Sequence, residues 1–291
     1  MKVNHLILTF AAAATLAACS SEMDIPTVAD DTQTVTFTAQ LPGGMGRSYG
    51  DGTTAKNLTY AVYDANGTLM SDLKGTATFE GLKAKVTLTL INNKEYNIVF
   101  WASADGSPYT FNEGNATVTA DYTNTLCNDE RLDAFTNTVN YTPSSDDDST
   151  ISVTLKRPFA QLNIGTNDMD DAKSAGLSDN ATISVTVKNV CTTINLLTGV
   201  AGDTKDVTFG YGALPSDETF PITGYDYLAM NYLLVGKDSS THDVSFQVSG
   251  ISASMEYTEV PLKANYRTNL YGSLLGSTSS FNIEINPTFE E

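Results

Sequence analysis

Thr34-Val35-Thr36-Phe37-Thr38-Ala39-Gln40-Leu41 decides the fold. Val35, Phe37, Ala39 and Leu41 alternate with Thr34, Thr36, Thr38 and Gln40. A period of two puts the apolar set on one face of a pleated strand and the polar set on the other. The segment therefore reads as a strand with one face in a core. Its β-branched and aromatic residues suit a half-buried pleated surface.

The same signature recurs towards the C-terminus. Leu58 to Tyr63 forms a second strand, closed by Asp64-Ala65-Asn66-Gly67, and Asn-Gly between strands marks a hairpin. Strands follow at Thr76 to Phe79, Lys83 to Leu90 and Tyr96 to Trp101. Asn97 to Ala102 is apolar on both faces, which predicts a central strand. Val118 to Tyr122 reads as a short strand, and Arg131 to Phe135 as a short strand or turn. Later strands are expected at Ile151 to Leu155, Ala160 to Ile164, Thr182 to Val190, Val207 to Phe209, Tyr227 to Val235, Asp243 to Val248 and Ser254 to Val260. Arg267 to Leu275 and Phe281 to Ile285 close the chain. Asn167 to Leu177 is the best candidate for one of a few short helices, with Asn167 or Asp168 as its cap. Many short strands with few helices predict an all-β chain of β-sandwiches in tandem. The expected division is a domain over residues 34–155 and a second over 156–291.

Towards the N-terminus the reading changes. Lys2 precedes an apolar run, Leu6 to Ala14, too short to span a bilayer. Residues 1–18 read as a secretory signal, excluded from the fold. Leu16-Ala17-Ala18-Cys19 resembles the lipobox of bacterial lipoproteins. That resemblance implies a lipid (palmitate-bearing) anchor on Cys19 and a tether over residues 19–33.

Composition narrows the function. The formal charge is −18, and loss of Lys2 with the signal takes it to −19. So acidic a chain is not drawn to nucleic acid or anionic lipid by its net field. His242 is the one histidine past the signal. It is expected in a surface turn, with no Gly-x-Ser-x-Gly elbow to make a triad with it. Asp146-Asp147-Asp148 lacks the spacing of a calcium loop, and Asp168, Asp170 and Asp171 read as helix-start acids rather than metal ligands. Trp101 is expected in a core. Cys127 and Cys191 could pair in an oxidising compartment, although their surroundings favour free thiols. The reading is of a non-enzyme with no cofactor and no metal.

One segment carries a mechanism. In Leu41-Pro42-Gly43-Gly44-Met45-Gly46-Arg47-Ser48-Tyr49-Gly50-Asp51-Gly52, Arg47 is the first arginine of the chain and the only basic residue between the signal and Lys56. A glycine-rich surface segment is a preferred proteolysis site. Cutting between Arg47 and Ser48 would free the strand carrying Val35, Phe37, Ala39 and Leu41. The exposed groove could then accept a strand from another subunit. Phe281, Ile283 and Ile285 alternate with Asn282, Glu284 and Asn286 and form the candidate donor. A head-to-tail contact of this kind propagates a filament.

The lipobox, the arginine after the first strand and the β-rich pattern together resemble the Bacteroidales fimbrillin superfamily, the subunits of type V pili. Ala61-Val62-Tyr63-Asp64, Leu155-Lys156-Arg157-Pro158-Phe159-Ala160-Gln161-Leu162, and the segment from Val260-Pro261-Leu262 to Leu270-Tyr271-Gly272 carry the resemblance further. It implies two transthyretin-like Greek-key sandwiches, export as a lipoprotein to the outer membrane, and display at the cell surface in a fimbria. By position, Cys19 would take the lipid and Arg47 the cut of an arginine-specific protease. The implied partners are other fimbrial subunits. The alternative reading is a surface lipoprotein that binds a glycan or host protein without polymerising.

Overall fold

Residues 31–43, 49–145, 149–252, 254–276 and 280–286 are described in a computed structural model. In chain order the strands are β1 (Thr32–Gln40), β2 (Ala55–Asp64), β3 (Leu69–Thr78), β4 (Lys83–Ile91), β5 (Tyr96–Ala104), β6 (Tyr109–Asn112), β7 (Thr117–Ala120), β8 (Ala134–Tyr141), β9 (Thr150–Thr154), β10 (Phe159–Thr166), β11 (Thr182–Asn195), β12 (Ala201–Ala213), β13 (Asp226–Leu234), β14 (Ser240–Val248), β15 (Met255–Leu262), β16 (Arg267–Ser273) and β17 (Ser280–Asn286). A 3₁₀ turn, Glu130–Leu132, and a short helix, α1 (Met169–Ser174), complete the described secondary structure. The all-β sandwich class is the one the alternation predicted.

The strands form four sheets. A three-stranded sheet, β4-β1-β9, and a four-stranded sheet, β3-β2-β5-β8, enclose a core that includes Phe37, Leu58, Val86, Ile98 and Phe100. The other two sheets are β15-β14-β11-β7-β6, with β12 also on β11, and β13-β10-β16-β17. Their larger core includes Leu162, Val185, Phe209, Leu233 and Leu270. Ala61, Tyr63, Val99 and Trp101, on the opposite face of β2 and β5, belong to this second core. The β3-β2-β5-β8 sheet is thus covered on both faces, which explains the two-sided apolar run at Asn97 to Ala102.

The division expected at 155/156 does not partition the strands. The β6–β7 hairpin, from the N-terminal half of the sequence, is built into the β11 sheet through Thr193↔Thr119 and Ile194↔Val118. The cause is the length of β11. At 14 residues it pairs with β14 over Ile183–Val187 and still reaches β7 beyond a bulge between Val187 and Val190.

Local chemistry sets the turns. Gly67 has φ +78, and the Asp64 carboxylate accepts from the N–H groups of Asn66 and Thr68, both at 2.9 Å. This is the Asn-Gly hairpin read from the sequence. The helix is shorter than expected. Asp168 does not cap it with its side chain; its carboxylate accepts from the backbone N–H groups of Leu275 and Gly276 at 3.1 and 2.9 Å.

Candidate functional site

β1 is the middle strand of its sheet. It runs antiparallel to β4, with Val35↔Leu88, Phe37↔Val86 and Ala39↔Ala84, and parallel to β9, with Phe37↔Ile151 and Ala39↔Val153. Val35, Phe37 and Ala39 are fully buried and Leu41 is 1% exposed. The Phe37 ring lies 5.9 Å from Phe100 and 5.6 Å, edge-on, from Tyr141. The outward face carries hydroxyl pairs, Thr36 with Thr87 at 3.0 Å and Thr34 with Thr89 at 3.3 Å. Burying each larger apolar side chain here contributes about 1.5–3 kcal/mol. Taking β1 away would uncover that surface and unpair the facing edges of β4 and β9 together.

Cys19, Arg47 and Ser48 lie outside the described residues. The chain on either side of 44–48 is anchored. Before it, the Leu41 N–H donates to the Leu82 carbonyl at 2.9 Å. After it, Tyr49 and Gly50 enter a buried polar clasp. The Arg157 guanidinium donates to the Gly50 carbonyl at 2.6 Å and to both oxygens of Asp133, at 2.7 and 2.8 Å, over the Phe135 ring. The Gly50 N–H donates to Glu130 Oε2 at 3.2 Å, and the Tyr232 hydroxyl donates to Glu130 Oε1 at 3.2 Å. Arg267 donates to the Tyr49 carbonyl at 3.2 Å, and the Tyr49 ring meets Tyr227 edge-on.

Burial dominates the electrostatics of this clasp. It pushes the Glu130 carboxyl up to about 7, with the Asp133 charge adding to the rise. Burial also raises the Asp133 carboxyl, against the pull of Arg157. The guanidinium itself is disfavoured by burial, and the Asp133 charge and hydrogen bond, together with Tyr232 and Glu130, outweigh this. None of these clasp residues follows from a period-two pattern.

At the other end of the chain, β17 is an edge strand that, among the described residues, pairs only with β16. Phe281 is 48% exposed and Ile285 41%, while Ile283 is half-buried. Phe281 keeps one aromatic contact, edge-on to Tyr257 at 4.7 Å. The three residues share a face, as their alternation requires, but that face is only partly covered.

One further candidate departs from its reading. His242 is not in a surface turn. It is 5% exposed on β14, with Nδ1 against the Lys188 carbonyl at 2.9 Å and Nε2 against the Ser240 hydroxyl at 2.7 Å. A backbone carbonyl stands where a triad would need a carboxylate. Trp101 is core, packed against Tyr109, Phe111 and Phe159. Cys127 and Cys191 are free thiols, and burial pushes Cys127 up to about 12. Among the described residues no group of three or more His, Cys, Asp or Glu is placed to hold a metal.

Residues 26–291 match the sequence model of DUF6562, a family of unknown function. The chain belongs to this family. No curated protein matches its sequence. Solved structures share the DUF6562 chain's fold. A proposed cell adhesion protein from Bacteroides uniformis is 15% identical, with a TM-score of 0.54 over 88% of this chain and 99% of that one. A proposed polysaccharide-binding protein from Bacteroides thetaiotaomicron is 11% identical, with a TM-score of 0.54 over 87% and 96%. The tip fimbrial protein Mfa3 from Porphyromonas gingivalis, truncated at its C-terminus, is 10% identical, with a TM-score of 0.50 over 87% and 99%. Identities this low establish fold and no more: the all-β sandwich class is shared with these structures.

Proposed function

We propose that this chain is a structural subunit of a cell-surface fimbria. In this reading it is exported as a lipoprotein on Cys19, cut between Arg47 and Ser48, and polymerised when a strand of another subunit replaces β1. Its two sandwich units would stay joined, since the clasp around Gly50 lies on the retained side of the cut. The observation that carries the reading is the position of β1: a central strand, fully buried on its apolar face, upstream of the first arginine. A strand so placed leaves a groove of its own shape when it goes, and strand addition can fill such a groove. The fold shared with a fimbrial tip protein supports the same reading.

The test is to treat the purified chain, lacking residues 1–18, with an arginine-specific protease and follow its mass and size. The proposal expects loss of the segment ending at Arg47 and growth of oligomers, with Arg47→Ala remaining monomeric. Cleaved protein that remains monomeric would contradict it.

A second reading is a non-polymerising surface lipoprotein that binds a glycan. Tyr211 favours it: the ring is half-exposed, and its hydroxyl meets Gln247 at 3.3 Å, a pairing suited to stacking and hydrogen bonding with a sugar. One solved structure of the fold carries a polysaccharide-binding description.

A further inference from the structure

Resting on the strand-exchange reading with Phe281–Ile285 of a second copy as its donor, we infer that the incoming strand runs opposite to β1, with Phe281 in the socket of Phe37. The socket sizes decide this. β1 leaves a large aromatic socket at Phe37, walled by Phe100 and Tyr141, and a medium one at Val35 opposite Leu88. At Ala39 the socket is small, because the Ala39 methyl alone fills it with no exposed surface.

The donor offers Phe, Ile and Ile at alternate positions, so any register that puts one of them at Ala39 overfills that socket. Run in the sense of β1 with Phe281 at Phe37, the strand puts Ile283 at Ala39. Run in the same sense with Ile285 at Phe37, it underfills the aromatic socket. That register also brings Pro287, which has no N–H, opposite Ala84 in a central strand. Run in the opposite sense with Phe281 at Phe37, it places Ile283 at Val35 and Ile285 at the half-buried Gln33 position, and leaves Ala39 uncrowded. The same-sense register would set Glu284 beside Lys83, but one exposed ion pair carries little weight against core packing.

The donor is free to move. Among the described residues β17 is an edge strand, and two of its three apolar side chains are already 48% and 41% exposed, so less apolar burial holds it to β16 than holds β1 in place. Asn282 and Glu284 point to solvent in β17 and would do so again at the places of Thr36 and Thr34.

Paired cysteines on this outward face read the register without disturbing the core. In the opposed register Asn282 takes the place of Thr36, beside Thr87; in the same-sense register with Phe281 at Phe37 it takes the place of Thr38, beside Lys85. Two chains are made, each carrying Asn282→Cys and Cys191→Ser, one with Thr87→Cys and one with Lys85→Cys. Each is cleaved with an arginine-specific protease and oxidised, and its non-reducing ladder is mapped by mass spectrometry. The inference expects intermolecular 282–87 disulfides and at least tenfold fewer 282–85 disulfides. A dominant 282–85 bond overturns the direction. Polymer without either bond overturns the placing of Phe281 in the Phe37 socket. Cleaved chains that form no polymer overturn the strand-exchange reading, and this inference with it.

Discussion

Arg157 and Asp133 meet at 2.7 and 2.8 Å with both side chains fully buried. The pair holds the carbonyl of Gly50, just after the glycine-rich segment, and the Arg157 N–H donates to Asn265 at 3.1 Å. One ion pair therefore ties the start of the retained chain to residues far along the sequence. A buried pair of this kind is costly to break and of little value against a well-packed apolar replacement.

Asp133→Ala should therefore destabilise the chain by about 3–5 kcal/mol, because it leaves a buried guanidinium without its counter-charge. The double variant Asp133→Leu/Arg157→Met should cost less than Asp133→Leu and Arg157→Met summed, these three and wild type making the cycle. Urea unfolding of the four proteins measures the coupling. A coupling energy near zero would show the pair to be independent of each other.

Glu130 gives stability a pH dependence. Burial holds its carboxyl at about 7 in the folded chain, above the ordinary 4.5. A raised carboxyl contributes stability that is full below the unfolded pKa and is lost as pH rises through the folded one. Between about pH 4.5 and pH 7.5 wild type should therefore lose about 3 kcal/mol relative to Glu130→Gln, since a tenfold change in proton affinity is worth about 1.4 kcal/mol. Parallel denaturation curves of the two proteins across that range are the check.

Phe37→Ala should cost about 3–5 kcal/mol through the cavity it leaves between Phe100 and Tyr141. Phe37→Asp puts a charge in the same place and should abolish accumulation of the exported protein. Cell-fraction immunoblots check it. Normal secretion of a monomeric Phe37→Asp protein would contradict the role given to β1.

Gly272 of β16 lies opposite Phe281 of β17. A Cβ there would run into the backbone of Ser280 and Phe281. Gly272→Ala should loosen β17, raising amide hydrogen exchange at Phe281–Ile285 while exchange in β1 is unchanged. Equal protection of β17 in the two proteins would refute it.

Much of the fold was legible because period-two alternation is a local property. β1, the Asn66-Gly67 hairpin and the two-sided β5 all sit where their patterns put them. β12 was foreseen only over Val207 to Phe209, yet it runs Ala201–Ala213. Its polar first half has no apolar alternation and is strand because β11 offers it an edge along Val190–Ile194. The place of β6–β7 was hidden for the same reason: sheet membership is set by a partner far along the chain. The apolar teeth of β1 and β17 could be read from the sequence. The clasp of Glu130, Asp133 and Arg157 could not, because charged residues carry no periodic signal and their meeting depends on the tertiary fold. His242 was misplaced because its polar neighbours, Ser239 to Thr241, mimic a turn while a strand buries the ring.

The central claim is that β1 is discarded, and the N-terminal residue of protein sheared from the cell surface tests it most directly. Mass spectrometry should find a chain beginning at Ser48, with Val35 to Leu41 absent. A chain beginning at lipid-modified Cys19, with that strand still attached, would contradict the account.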